Sequence, residues 1–185
     1  MDALEVIHTR HSLTNIKPDP VPRAVIEKLL QAAAQAPNHY KVRPWRFVVL
    51  TGQARARLGD EMAQSLKETH PDLPEAALDK ERAKPLRTPV LIAVGVDKPD
   101  DPRLLEIENI CATAAAVENL LLAAHALGLG AKWRTGTAAR DPLVRRFLGF
   151  APDQLILSFV YLGYPELIPP AEERPSFEDR TKWME

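Results

Sequence analysis

Apolar positions along the chain recur at two spacings, and the changes between them divide it into elements. Leu4, Ile7 and His8 share a helical face that continues through His11, and Asp2 stands three residues before Glu5 in capping-box spacing, so a first helix is expected to end near Thr9. Pro18, Pro20 and Pro22 make Leu13 to Pro22 a loop. Arg23 to Gln35 reads as a helix with Ile26, Leu29, Leu30 and Ala33 on one side, and Pro37 stops it. A polar loop, Asn38 to Arg43, leads into a strand over Arg46 to Thr51. Its continuous Phe47-Val48-Val49-Leu50 run predicts burial on both faces.

Gln53 to Glu68 repeats the helical stripe with Leu58, Met62 and Leu66. Thr69 to Arg87 is charged and broken by Pro71, Pro74 and Pro85, with room for one short helix at Glu75 to Lys84; it reads as a solvated connector or a mobile cover. Pro89 to Val96 is a second core strand. Leu104 to Leu127 is the longest helix, apolar on nearly all sides from Ile110 and ended by Gly128 and Gly130, so it should lie inside the molecule or between two copies. Ala131 to Gly136 is a short strand, Asp141 caps a helix carrying Leu143, Val144, Phe147 and Leu148, and Leu155 to Gly163 is a third strong strand. Residues 165–185 form an extended tail with Pro165, Pro169, Pro170 and Pro175, which needs a surface to lie against, its own domain or a partner subunit. The irregular alternation favours an α+β layer fold over a doubly wound sheet, in one domain spanning 1–185.

Composition narrows the function classes. The 185 residues are 45% apolar, enough for a core, and 24 basic against 25 acidic residues leave a formal charge of −1. No global field would hold nucleic acid or an anionic membrane. The single cysteine, Cys111, excludes an internal disulfide and, within an apolar run, reads as a small core residue suited to a reducing cytoplasm. The start, Met1-Asp2-Ala3-Leu4-Glu5, lacks the pattern of a secretion signal. Glu118, Asn119 and His125 interrupt the most apolar stretch, so a buried helix explains it better than a membrane span.

The five histidines are scattered and Cys111 has no partner, so no metal site is expected; a nucleophile elbow and a P-loop are also missing. Gly128-Leu129-Gly130 follows a helix and lacks the third glycine of a dinucleotide fingerprint. What remains is a set of cationic, aromatic and small residues in separate segments. Arg10, His11 and Ser12 together suit a dianion, although a solvated helix end would contain the same types. Ala32-Ala33-Ala34 admits a flat ring or simply favours helix. Two or three charge-assisted hydrogen bonds of about 1.5–3 kcal/mol each approach the ~8 kcal/mol of micromolar binding only if an apolar ring is also buried.

Arg10-His11-Ser12, the Ala36-Pro37 turn with Pro44-Trp45, Trp133-Arg134-Thr135 and Arg174-Pro175 stand in an order that resembles the nitroreductase family of FMN-dependent oxidoreductases, over Met1 to about Glu178. The resemblance implies a three-layer fold with a central mixed sheet and an intertwined homodimer that exchanges its C-terminal tails. It implies FMN in the interface, NAD(P)H as electron donor, and ping-pong transfer to small electron-poor acceptors such as nitroaromatics or quinones. An FMN-binding or storage protein with little turnover is the alternative. Arg10, His11, Ser12 and Arg174 would hold the phosphate and polar edge, and Gln35 and His39 would come from the partner subunit. Trp133, Arg134, Thr135 and Gly136 would line the ring. Ala123, Ala124, His125, Ala126, Leu127 and Gly128 would serve NAD(P). Chemistry would rest on the flavin, with no catalytic side chain. Two positions depart from the family pattern, Thr14 and Glu172, where a cation is common; Lys41 or Arg43 is the expected substitute.

Overall fold

The computed structural model describes residues 2–170 and 174–185; Glu172 lies outside them. Helix α1 (Ala3–Thr9) starts as its cap predicts: the Asp2 carboxylate accepts from the Glu5 N–H at 2.9 Å, and the Asp2 N–H donates back to Glu5. Its buried residue is Val6, however, and Leu4 and Ile7 are exposed. Two turns of helix are too few for a stripe to decide which side packs. Helix α2 (Arg23–Ala33) buries Ile26, Leu29 and Ala33 as expected.

Strands β1 (Trp45–Thr51), β2 (Val90–Val96), β3 (Gly130–Arg134) and β4 (Leu155–Gly163) form one sheet in the order β1-β2-β4-β3. Every neighbouring pair is antiparallel, which corrects the expectation of a mixed sheet within this chain. The cause is the connections. An antiparallel neighbour needs an excursion that leaves and returns at the same end of the sheet, and α3 (Gln53–Thr69) with α4 (Glu75–Arg82) makes such a round trip between β1 and β2. The parallel contact among the described residues is an isolated bridge, Ser12 to Ala131.

Side chains alternate across the sheet and create two cores. Val90, Ile92, Val94, Val160 and Leu162 pack toward α2 and α5 (Glu106–Ala126). Leu91, Ala93, Phe159 and Tyr161 pack toward α3 and α6 (Pro142–Phe147). Helices on both faces of a central sheet make the three layers. β2 is buried throughout, but β1 is an edge strand, with Arg46, Val49 and Thr51 exposed, so burial on both faces does not hold there. A continuous apolar run does not distinguish a central strand from an edge strand with partial cover.

Helix α5 is long and apolar enough to cross a membrane by length and composition, yet its Thr113, Ala116, Val117, Leu120 and Ala124 stripe lies in the first core. Cys111 is exposed, against expectation, because the helical period places it with Ile107 and Glu118 on the outward side. The segment 69–87 is packed rather than a loose cover: Leu78 and Pro85 are buried, and Gly59 of α3 comes so near α4 that a Cβ there would stand 2.1 Å from the Arg82 carbonyl oxygen.

Candidate cofactor-binding site

After α1 the chain becomes extended at Arg10 (φ −64°, ψ 132°), and Ser12 bridges Ala131 while the Leu13 N–H donates to the Ala131 carbonyl at 3.1 Å. This seam lays Arg10-His11-Ser12 along the start of β3, an edge strand whose other neighbour is β4. The Arg10 guanidinium lies 3.7 Å from the Glu118 carboxylate on the outward side of α5, and Arg174 donates to the Arg10 carbonyl oxygen. Two segments 164 residues apart therefore meet at one corner. Two arginines thus stand together at this corner, a pairing of residue types that suits a dianion.

Trp133 is half-buried against the first core, whereas Arg134 crosses to the other face and stacks over the Tyr161 ring at 5.6 Å. Strand alternation forces this separation. Thr135 and Gly136 continue past the strand end and are exposed, with Gly136 at φ 111°, a conformation that favours glycine.

The end of α5 adjoins the same corner. Its Leu129 N–H donates to the Ala124 carbonyl at 2.8 Å and its Gly128 N–H to His125 at 3.0 Å, a Schellman closure with Gly128 at φ 75°. His11, His125 and Gly128 line a cleft of about 340 Å³ with Glu5, Thr9 and Leu13. Thr9 Oγ1 donates to the Glu5 carbonyl at 2.6 Å, which commits its one proton. Its 2.8 Å contact with His125 Nε2 then requires that nitrogen to carry the hydrogen. Burial holds His125 below the usual histidine range, helped by the charges of His11 and Arg10.

Gln35, His39, Lys41 and Arg43 lie elsewhere. His39 Nδ1 stands 3.0 Å from Glu108, near the start of α5, and stacks on Tyr40, whose ring lies 5.0 Å beneath Arg103. The Leu105 N–H, and then His39, hold the Glu108 carboxyl below its ordinary value. Tyr40, Lys41 and Arg43 have φ of 47°, 58° and 50°, costly for L residues, and the Asn38 side chain fixes this backbone by accepting from the Arg43 N–H at 2.9 Å. Glu108 and Glu118 are ten residues apart on one helix, about 15 Å along its axis. One chain thus holds two separated clusters.

Sequence reasoning gave Thr9 no role of its own and did not single out Glu108 or Tyr161. Glu118 did stand out, as a charge inside an apolar run, although that reading made it an argument against a membrane span.

A three-layer α+β fold with a cationic corner beside an edge strand defines the class of protein. The description "Nitroreductase family" matches residues 7–164, and the chain belongs to that family. It is 32% identical over 168 residues to the Escherichia coli (strain K12) protein named "Putative NAD(P)H nitroreductase YdjA", covering 90% of each chain. A nitroreductase-like family protein from Bacillus cereus superposes with a TM-score of 0.85 at 27% identity, over 100% of this chain and 97% of that one. A Desulfovibrio desulfuricans chain solved in complex with FMN superposes with a TM-score of 0.71 at 25% identity, over 95% and 93%.

Proposed function

We propose that the chain is an FMN-dependent oxidoreductase that draws electrons from NAD(P)H and passes them, in two half-reactions at one site, to small electron-poor acceptors such as nitroaromatics or quinones. The observation that supports this reading is that Arg10, Ser12 and Arg174 come together beside β3, the strand that carries Trp133. Bound FMN supplies the two-electron exchange that protein side chains lack. Arg10 and Arg174 supply charge for the phosphate, with Ser12 as a further donor, and Glu118 holds Arg10 in place. Trp133 gives the ring an apolar neighbour, and the N–H groups of Thr135 and Gly136, just past the strand end, would donate to its polar edge. His11 and the 123–128 turn border the cleft where the nicotinamide donor would enter.

The second cluster enters from a partner. Two copies would bring the α1 end of one against the Gln35 to Arg43 loop of the other. Lys41 and Arg43, held outward on strained backbone, would then put positive charge at the ring edge where negative charge collects on reduction. Thr14 offers no cation there, which favours a second reading, FMN storage with little turnover.

Absorbance of the purified protein tests both readings. Oxidised-flavin bands that NADPH or NADH bleaches, and steady turnover with a nitroaromatic, are expected. Stable yellow protein without turnover would support storage, and colourless protein after FMN addition would defeat both. Redox titration of the same bands should move to lower potential in Lys41→Ala or Arg43→Ala; an unchanged potential in both would remove those side chains from the site.

A further inference from the structure

On the sheet face opposite Trp133 and α5 lies a cavity of about 200 Å³ that shares Thr135 and Gly136 with the proposed flavin site and is otherwise built from other residues. Leu58, Met62, Leu91 and Phe159 form its apolar wall, and the turn from Thr135 to Ala138 closes it above. Tyr161 is 9% exposed and lines it. Arg134 stacks over that ring and pairs with no carboxylate among the described residues. The carboxylate on the wall, Glu81, is engaged by Lys84.

We propose that this cavity binds a small aromatic monocarboxylate, with its ring against Phe159, Met62 and Leu58 and its carboxylate on the Arg134 guanidinium and the Tyr161 hydroxyl. Size fits a single ring, since an apolar cavity of about 150 Å³ admits benzene. Charge selects an anion: Arg134, Arg87 and Lys84 face the Tyr161 region against one carboxylate, Glu81. Burial pushes the Tyr161 hydroxyl above its ordinary value, so it stays a donor at neutral pH. A planar guanidinium fork and a phenolic hydroxyl suit a carboxylate. Access is supplied by a larger cleft of about 770 Å³, which shares Met62, Glu81 and the residues from Thr135 to Ala138 with the cavity.

Calorimetric titration of the purified protein with benzoate, acetate and benzamide tests the assignment. Benzoate is expected to bind saturably and at least about tenfold more tightly than either comparator. Arg134→Gln should weaken it about tenfold or more, and Tyr161→Phe about threefold or more. Thermal melts check that each variant is folded, and flavin absorbance is read in parallel. If Arg134→Gln sheds flavin, Tyr161→Phe decides, because Tyr161 has no part in the proposed FMN site. Absence of saturable benzoate binding would overturn the proposal. So would equal binding by the wild type and the deciding variant, which would put benzoate elsewhere on the protein.

Discussion

At the residue scale, His125 carries a consequence for stability. Its folded-state pKa is lowered by burial and by the charges of His11 and Arg10, so the unfolded chain takes up a proton more readily than the folded one. Stability must then rise with pH through the window between the two values. It falls on acidification from about pH 6.5, the ordinary histidine value, down to the lowered one. Urea midpoints measured from pH 8 to 5 should drop in the wild type and drop less in His125→Gln, whose amide N–H can still donate to Thr9. A gap between the two proteins that is constant across pH would exclude His125 as the cause. The same residue shows what a linear sequence hides: His125 stands out in an apolar run, but its partner Thr9 is 116 positions away, and only the fold brings them together.

At the element scale, Asp141 joins two helices. Its carboxylate accepts from the Leu143 and Val144 N–H groups at 2.7 and 3.1 Å, starting α6, and also from the Ser65 hydroxyl of α3. Asp141→Ala should destabilise by about 1–2 kcal/mol as a lost cap, and Ser65, which is buried, loses its acceptor as well. A urea-denaturation difference below about 0.5 kcal/mol, smaller than the usual loss of a cap, would contradict this role. Caps and prolines are local, which is why the starts of α1 and α6, the end of α2 and the extents of β2 and β4 were readable from sequence. Properties set by neighbours were not. The edge position of β1, the outward side of α5 that exposes Cys111, the inward turn of Val6 and the antiparallel order all depend on which element lies alongside. The site divided in the same way. Arg10 and Ser12 are candidates by residue type and order alone, whereas the opposite facing of Trp133 and Arg134 follows from where β3 sits in the sheet.

At the scale of the whole molecule, a single chain leaves much apolar surface uncovered. Leu4 and Ile7 on α1, Leu105 and Ile107 at the start of α5, and Leu167, Phe177, Trp183 and Met184 in the tail are all exposed. Exposed apolar residues of this kind suit the two-chain assembly proposed above. A second copy would bury the outward side of α5 and give the tail a surface to lie against, and it would bring together two clusters that one chain holds about 15 Å apart along a helix. The proposed function depends on this pairing more than on any one side chain.

Co-expressed chains carrying Arg10→Ala and His39→Ala, on separate affinity tags, test the pairing most directly when the mixed dimer is isolated and its tightly bound FMN counted. Each variant alone is expected to lose tight FMN binding at both sites, while the mixed dimer recovers one intact site and one FMN per dimer. Mixed dimers that bind no more FMN than the parent variants, or a monomer that binds FMN as tightly as the wild-type assembly, would contradict a site built from two chains.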